Sequence, residues 1–265
     1  MRRIFLTGAS SGIGLATAEA LLARGDEVWG TSRNPADLLK HDRFHPVRLD
    51  LHNDTDIDQV FTGALTEAGH FDVVINNAGG GHFGPAELLS LPEIREQFQL
   101  VFFAHVQLMQ LALAAMRLRE SGLIINVTSL ATLLPVPFMG AYNAAKSAMA
   151  AFTMSMQIEL GTSNIHIVDL QPADIRTNFN DAVRRNNDTG YRERVEKTWR
   201  AVDKNMKEAP GPELVARAVL RVMDQQNPPM RTIVGGAFQA KVAPFIFRFL
   251  PQRTRIWGLK KYYGI

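Results

Sequence analysis

Short apolar runs rich in β-branched residues recur along the chain, at residues 3–7, 27–31, 44–49, 72–76, 123–128, 165–170 and 231–234. Between them, residues 12–24, 53–68, 92–119, 141–161 and 212–226 combine good helix formers with apolar positions at helical spacing. The strand runs are apolar almost throughout instead of alternating, so both faces of the sheet they form must be covered. Strands alternating with helices then read as a parallel sheet of about seven strands, wound by right-handed crossovers into a doubly wound α/β fold. Several helix starts carry capping residues; Asn53-Asp54-Thr55-Asp56 places short polar and acidic side chains where free backbone N–H groups and the positive end of the helix dipole lie. A polar stretch follows the sixth strand, and residues 175–210 are expected to form a substrate-side flap. Residues 1–237 are expected to make a single domain, and residues 238–265 a tail mixing Phe, Trp and Tyr with Lys and Arg.

Composition narrows the function. The 265 residues exceed the usual length of one domain, about 150, but continuous α/β sheets reach this size undivided. A net charge of +3 spread along the chain lacks the basic stripe that nucleic acid requires, which sets nucleic-acid binding aside. The absence of cysteine excludes disulfides, thiolate nucleophiles and cysteine-bound zinc; no metal site is expected from the seven His, and a reducing, cytoplasmic setting is. The opening Met1-Arg2-Arg3-Ile4-Phe5-Leu6 imitates a charged signal-peptide start, but its apolar run ends at Thr7-Gly8 and reads better as a first strand. No run of about 18 uncharged apolar residues is evident, so a soluble protein is expected.

Directly after the first strand comes Thr7-Gly8-Ala9-Ser10-Ser11-Gly12-Ile13-Gly14. In a strand–turn–helix unit, Gly8 permits the tight turn, Gly12 lets a phosphate approach the backbone, and Gly14 lets the helix pack on the strand, while the helix N-terminus favours a pyrophosphate. The same residues match the G-x-S-x-G elbow of α/β hydrolases, but that motif follows several strands and a loop of oxyanion donors, and here almost nothing precedes it. At the end of the second strand, Gly30-Thr31-Ser32-Arg33 lacks the acidic residue that accepts ribose hydroxyls of NAD; Arg33 instead offers planar donors to a 2′-phosphate. NADP(H) is therefore the expected cofactor, with NAD(H) as the alternative.

Tyr142-Asn143-Ala144-Ala145-Lys146 falls in a helical stretch, where positions four apart share a face. A nearby ammonium favours a phenolate, bringing the tyrosine toward the range where proton exchange with an alcohol is useful. Ser129 ends the fifth strand thirteen positions before Tyr142, at the strand edge where ligands bind in open α/β sheets.

Through Thr7 to Gly14, Asn76-Asn77-Ala78-Gly79, Ser129, Tyr142 and Lys146, in that order, residues 1–237 resemble the short-chain dehydrogenase/reductase family, whose fold is a Rossmann-type sheet. The resemblance implies NAD(P)-dependent hydride transfer with Tyr142 as acid and base, Ser129 orienting the carbonyl, and Lys146 assisting the tyrosine while binding the nicotinamide ribose. It also implies cofactor contacts from Gly8, Ser10, Ser11, Gly12, Ile13 and Gly14 at the turn, Ser32 and Arg33 at the ribose, and Asp50 and Leu51 near adenine. Asn77, Ala78 and Gly79 are implied along the adenosine side, and Pro172, Ile175 and Thr177 near nicotinamide, and the family suggests a homodimer or tetramer.

The chain departs from the family at two places. The usual fourth catalytic residue, an Asn on the helix before the Ser strand, corresponds to Val101, and no Asn occurs between Asn77 and Asn126. His105, one turn further on, is either a substitute or a buried structural histidine. Pro172-Ala173 stands where the family has Pro-Gly, and is expected to tighten the nicotinamide end. Phe83, Leu133, Leu134, Val136, Phe138 and Phe179 are expected to line an apolar pocket for a hydrophobic ketone, aldehyde or alcohol. The tail is expected to pack against the domain or a second subunit; peripheral contact with a membrane surface is the less favoured reading. The alternative to an enzyme is a catalytically weak NADP(H)-binding sensor or scaffold, for which the missing Asn speaks.

Overall fold

The computed structural model describes residues 1–186 and 189–265. Its strands are β1 (Arg3–Leu6), β2 (Glu27–Ser32), β3 (Phe44–Arg48), β4 (Val73–Asn76), β5 (Gly81–Phe83), β6 (Gly122–Val127), β7 (Ile165–Pro172), β8 (Val183–Arg185) and β9 (Arg231–Val234). Its helices are α1 (Gly12–Ala23), α2 (Asp54–Ala68), α3 (Leu91–Phe98), α4 (Ala104–Arg119), α5 (Gly140–Leu160), α6 (Arg192–Glu208), α7 (Glu213–Met223), α8 (Ala243–Phe249) and α9 (Gln252–Tyr263).

Within β1, Ile4 and Leu6 point to one face of the sheet and Phe5 to the other, because side chains alternate along a strand. The first face packs on α1 and α7 through Ala18, Leu21, Val215 and Val219; the second packs on α2 and α4 through Phe61, Leu108 and Met116. Each fully buried residue of this size contributes roughly 1.5–3 kcal/mol, so both faces must be apolar, which is what the unbroken apolar runs reflect. The seven expected strands form one parallel sheet in the order β3-β2-β1-β4-β6-β7-β9, a Rossmann-type doubly wound domain. The chain winds outward from β1 to β3, then returns to β4 on the other side of β1. The crevice between β1 and β4 is therefore the switch point where ligands bind. Register brings Leu6 beside Ile75, Asn76 beside Asn126, and Pro172 beside Val234, so the segments that follow these strands emerge at one edge.

Four features differ from the sequence expectation. β5 and β8 form a separate parallel pair, and three-residue strands such as Gly81-His82-Phe83 show no periodicity to detect. The expected flap contains the regular helix α6, whose buried Val195 and Thr198 are too sparse to mark a helix in so polar a stretch; its residues 187 and 188 lie outside the described residues. The single helix expected over 92–119 is really α3 and α4 joined by a π-turn at Gln99–Phe103. The combined run Leu91–Arg119 is also long and apolar enough, by length and composition, to cross a membrane, contrary to the expectation that no segment comes close. Its Leu108, Met109, Leu113 and Met116 pack in the sheet core, which accounts for that composition.

Candidate active site

The turn after β1 adopts left-handed backbone at Gly8 (φ 69°) and Gly12 (φ 53°), conformations that suit glycine. At Gly14 a Cβ would lie 1.9 Å from the Gly8 carbonyl oxygen, so only glycine lets α1 seat on the turn. Ser11 caps α1 without a side-chain hydrogen bond, and the first N–H groups of the helix are not closed off by a local side chain. Thr7 Oγ1 accepts from the backbone N–H groups of Asn77 (2.9 Å) and Ala78 (3.0 Å), and Asn77 Nδ2 donates to the carbonyls of Thr7 (2.9 Å) and Gly8 (3.2 Å). The Asn77 amide thus fixes the glycine turn to the end of β4, a positioning task that the sequence did not reveal.

A cleft of about 540 Å³ runs from this turn across the sheet edge. Every residue expected to contact cofactor lines it, as do Ser129, Tyr142 and Lys146. Ser32 and Arg33 stand at one end; Arg33 is exposed and makes no ion pair among the described residues. Asp50 and Leu51 flank the same end, where Asp50 Oδ1 accepts from the His52 N–H. At the other end Thr177 crosses the turn, its Cβ 3.2 Å from where a Gly12 Cβ would sit. A bare glycine backbone at the middle, an unpaired guanidinium at one end and proton-handling side chains at the other fit a dinucleotide with a 2′-phosphate.

Ser129 follows β6 and caps a short 3₁₀ turn, accepting from the Ala131 N–H at 3.1 Å. Tyr142 and Lys146 lie on the first turns of α5, both buried. Lys146 Nζ donates to the Val127 carbonyl at 2.7 Å and lies 5.9 Å from the centre of the Tyr142 ring. Burial lowers the Lys146 ammonium to about 8, opposed by the Asp169 carboxylate behind it. Asp169 is itself held by Arg231 (2.8 Å), Gln171 (2.8 Å) and the Thr128 hydroxyl.

The tyrosine behaves differently from the sequence expectation. Its pKa is raised, because burial disfavours the phenolate more than the Ser129 hydroxyl stabilises it. The lysine charge is directed to the Val127 carbonyl and does not depress the phenol in this state of the site.

At the position of the usual Asn, Val101 is fully buried inside the π-turn. His105 is also buried; desolvation, reinforced by the Lys146 charge, lowers its ring to about 3, and the Val101 carbonyl accepts a hydrogen bond from it. Its Nε2 has no partner among the described residues. It is thus a buried, neutral histidine, held against the backbone of the residue that replaces the Asn.

Ala173 takes the place of the family glycine without crowding, because Gly235 faces it: a Cβ on Gly235 would lie 2.5 Å from the Ala173 Cβ. Of the six expected pocket residues, Val136 and Phe179 line the cleft that holds Ser129, Tyr142 and Lys146, and Leu134 and Val136 a second cavity. Phe83 lies behind the cleft, packed on Phe138 (6.0 Å between ring centres) and Trp199 (4.8 Å), while Leu133 and Phe138 line neither cavity. These aromatic residues support the wall without facing the substrate space.

The second cavity, about 280 Å³, was not foreseen. It lies between the ends of β6 and β7 and the tail, walled by Leu130, Leu134, Phe247, Leu250, Leu259 and Tyr263. Ser129, Ala131, Val136, Pro172, Ala173, Asp174 and Tyr263 border both cavities, so they adjoin at Ser129. The tail packs on the domain through this inner face, while Phe245, Phe249 and Trp257 remain exposed away from the cavity.

Comparison with known proteins agrees with this geometry. The family model described as short chain dehydrogenase matches residues 2–188. The 3-ketodihydrosphingosine reductase of Bacteroides thetaiotaomicron is 31% identical over 266 residues, covering 99% of this chain and 98% of its own. A solved short-chain dehydrogenase from Streptomyces avermitilis superposes with a TM-score of 0.84 at 28% identity, covering 100% of this chain and 98% of that one. A metagenomic short-chain oxidoreductase solved in complex with NADP has a TM-score of 0.71 at 25% identity, covering 88% of this chain and 96% of its own.

Proposed function

Because the chain belongs to the short-chain dehydrogenase/reductase family, we propose that it transfers a hydride between NADP(H) and a carbonyl or alcohol carbon on a substrate with a long apolar portion. The observation that carries this reading is the joining of Ser129, Tyr142 and Lys146 to the glycine turn along one cleft, with an apolar cavity opening beside Ser129. The nicotinamide cofactor, when bound, supplies or accepts the hydride. Gly8 and Gly14 shape the turn over which Gly12 would let its phosphates approach the backbone, Arg33 would meet the 2′-phosphate, and Pro172, Ile175 and Thr177 would border its nicotinamide end.

Ser129 donates a hydrogen bond that orients the substrate oxygen, and Tyr142 exchanges a proton with that oxygen. The raised pKa keeps the phenol protonated at neutral pH, the form needed to protonate the alkoxide that reduction generates. Lys146, anchored on Val127, supplies positive charge at the foot of the tyrosine. The substrate's apolar portion occupies the tail cavity, where each buried methylene contributes about 0.8 kcal/mol. This reading is supported by the name of the Bacteroides relative, a reductase of a 3-keto compound, and by the NADP in the metagenomic neighbour. A cytoplasmic setting and a homodimer or tetramer belong to the proposal, supported by the cysteine-free composition and the family resemblance respectively.

The test is oxidation of NADPH followed at 340 nm with a panel of long-chain ketones and aldehydes, comparing the native protein with Tyr142→Phe. Turnover by the native protein that falls at least 100-fold in the variant supports the assignment. Val101 in place of the usual Asn favours a second reading, an NADP(H) sensor. Tight NADPH binding without turnover by either protein would select it.

A further inference from the structure

Asp174 follows Pro172-Ala173 at the end of β7 and borders both the catalytic cleft and the tail cavity. It is a half-buried carboxylate at the junction of two spaces, one of them walled mainly by hydrocarbon. It makes no ion pair among the described residues. Its one side-chain hydrogen bond comes from Gln239 Nε2 to Oδ2, at 2.5 Å. Gln239 also donates to the Tyr262 hydroxyl (3.1 Å), which accepts from Asn205 (3.0 Å), so a polar chain from α6 and α9 holds the carboxylate in place.

Two of the cations that border these cavities are engaged by other groups. Arg255, on the tail side of the cavity, donates to the carbonyls of Leu250 and Arg248 and lies over the Phe247 ring. Lys146 is bound to Val127. Burial pushes the Asp174 carboxyl upward, the mark of an acidic group that lacks a compensating charge. A carboxylate in so apolar a place is costly unless a partner arrives with the ligand.

We propose that Asp174 binds an ammonium group carried beside the reacting carbon, making the preferred substrate a long-chain amino ketone or, in the reverse direction, an amino alcohol. The inference rests on the oxidoreductase reading above and specifies its substrate class. With the oxygen between Ser129 and Tyr142 and the chain in the tail cavity, a substituent next to the carbonyl carbon lies at the boundary that Asp174 occupies. An ammonium donates to the carboxylate and neutralises it. A neutral ketone of equal chain length leaves the carboxylate desolvated against hydrocarbon, so the residue selects for the amine and also against its absence.

The experiment compares two substrates of the same chain length, a 2-amino-3-ketone and the 3-ketone lacking the amine, by NADPH oxidation with the native protein, Asp174→Asn and Gln239→Leu. The expected native preference for the amino ketone is about 10- to 100-fold in kcat/KM, the range of one charge-assisted hydrogen bond in a desolvated site. In Asp174→Asn the ratio of the two substrates should collapse toward one, mainly through KM for the amino ketone. Gln239→Leu, which keeps the carboxylate but removes the donor that positions it, should lower the preference by less than Asp174→Asn does. NADPH affinity reports that each variant is folded. Equal native rates on the two ketones, a preference that survives Asp174→Asn, or a loss in that variant equal for both substrates would each overturn the proposal while leaving the oxidoreductase reading intact. Absence of turnover on both ketones by a native protein that binds NADPH would overturn the proposal as well, and only silence across the whole panel of ketones and aldehydes would refute the oxidoreductase reading.

Discussion

Gly258 offers a way to shorten the tail cavity without disturbing the sheet. It lies within α9, borders the cavity, and a Cβ built on it meets no atom within 4 Å. Its backbone does not have the positive φ that would strain a side chain. Gly258→Phe therefore adds a ring into open space and replaces the poorest non-proline helix former, for a net change in helix stability of a few tenths of a kcal/mol in the favourable direction. The cost falls on the substrate. Displacing even two methylenes from the cavity forfeits about 1.6 kcal/mol, roughly 15-fold in kcat/KM. The assay is a homologous series of ketones of increasing chain length, with NADPH oxidation as the readout. The native protein should gain up to about 4-fold per methylene until the cavity is full. In the variant the gain should stop at least two methylenes earlier, with activity on the shortest ketones retained. Identical chain-length profiles for the two proteins, with the variant folded, would refute the assignment of this cavity to the substrate chain.

Arg33→Ala should weaken NADPH by about 10- to 100-fold in KM while changing NADH far less, since only the 2′-phosphate needs the guanidinium; equal effects on both cofactors would remove Arg33 from the ribose site. Because burial lowers Lys146 from its ordinary value near 10.5 to about 8, its positive charge is largely present at neutral pH and lost as pH rises through 8. Reductive kcat/KM should therefore be flat near pH 7 and decline above about 8, and Lys146→Arg, whatever its absolute rate, should lack that decline because arginine stays protonated. Gly14→Ala should cost about 1–3 kcal/mol or more, seen as a lower Tm and weaker NADPH binding, because its methyl would overlap the Gly8 carbonyl; Gly63→Ala on α2, with open space around it, should be neutral or mildly stabilising. Light scattering should give a dimer or tetramer in which Phe245, Phe249 and Trp257 are covered, and co-sedimentation with anionic liposomes would instead assign that face to a membrane surface.

Much of the molecule was already legible in the chain. The inner sheet strands follow from nearly unbroken apolar runs, because a strand buried on both faces is apolar at most positions, while the edge strands β3 and β9 are partly exposed. The glycine turn is equally local, since the positive φ at Gly8 and Gly12 and the helix contact at Gly14 demand a residue without a Cβ. Ser129, Tyr142 and Lys146 were identifiable because a strand end and a four-residue helical spacing are short-range geometry. What the tertiary structure decided was the energetics and the neighbours. Burial, set by residues distant in sequence, raises the tyrosine that a nearby lysine was expected to lower. Phe83 recedes behind the cleft because Trp199 of α6 packs over it, a contact spanning more than a hundred positions. Ala173 fits because Gly235, on a different strand end, leaves space for its methyl. The tail cavity and the setting of Asp174 exist only where α8 and α9 fold back on the ends of β6 and β7. Periodicity shows which face of an element is buried; which element buries it is fixed by contacts between segments far apart in the chain.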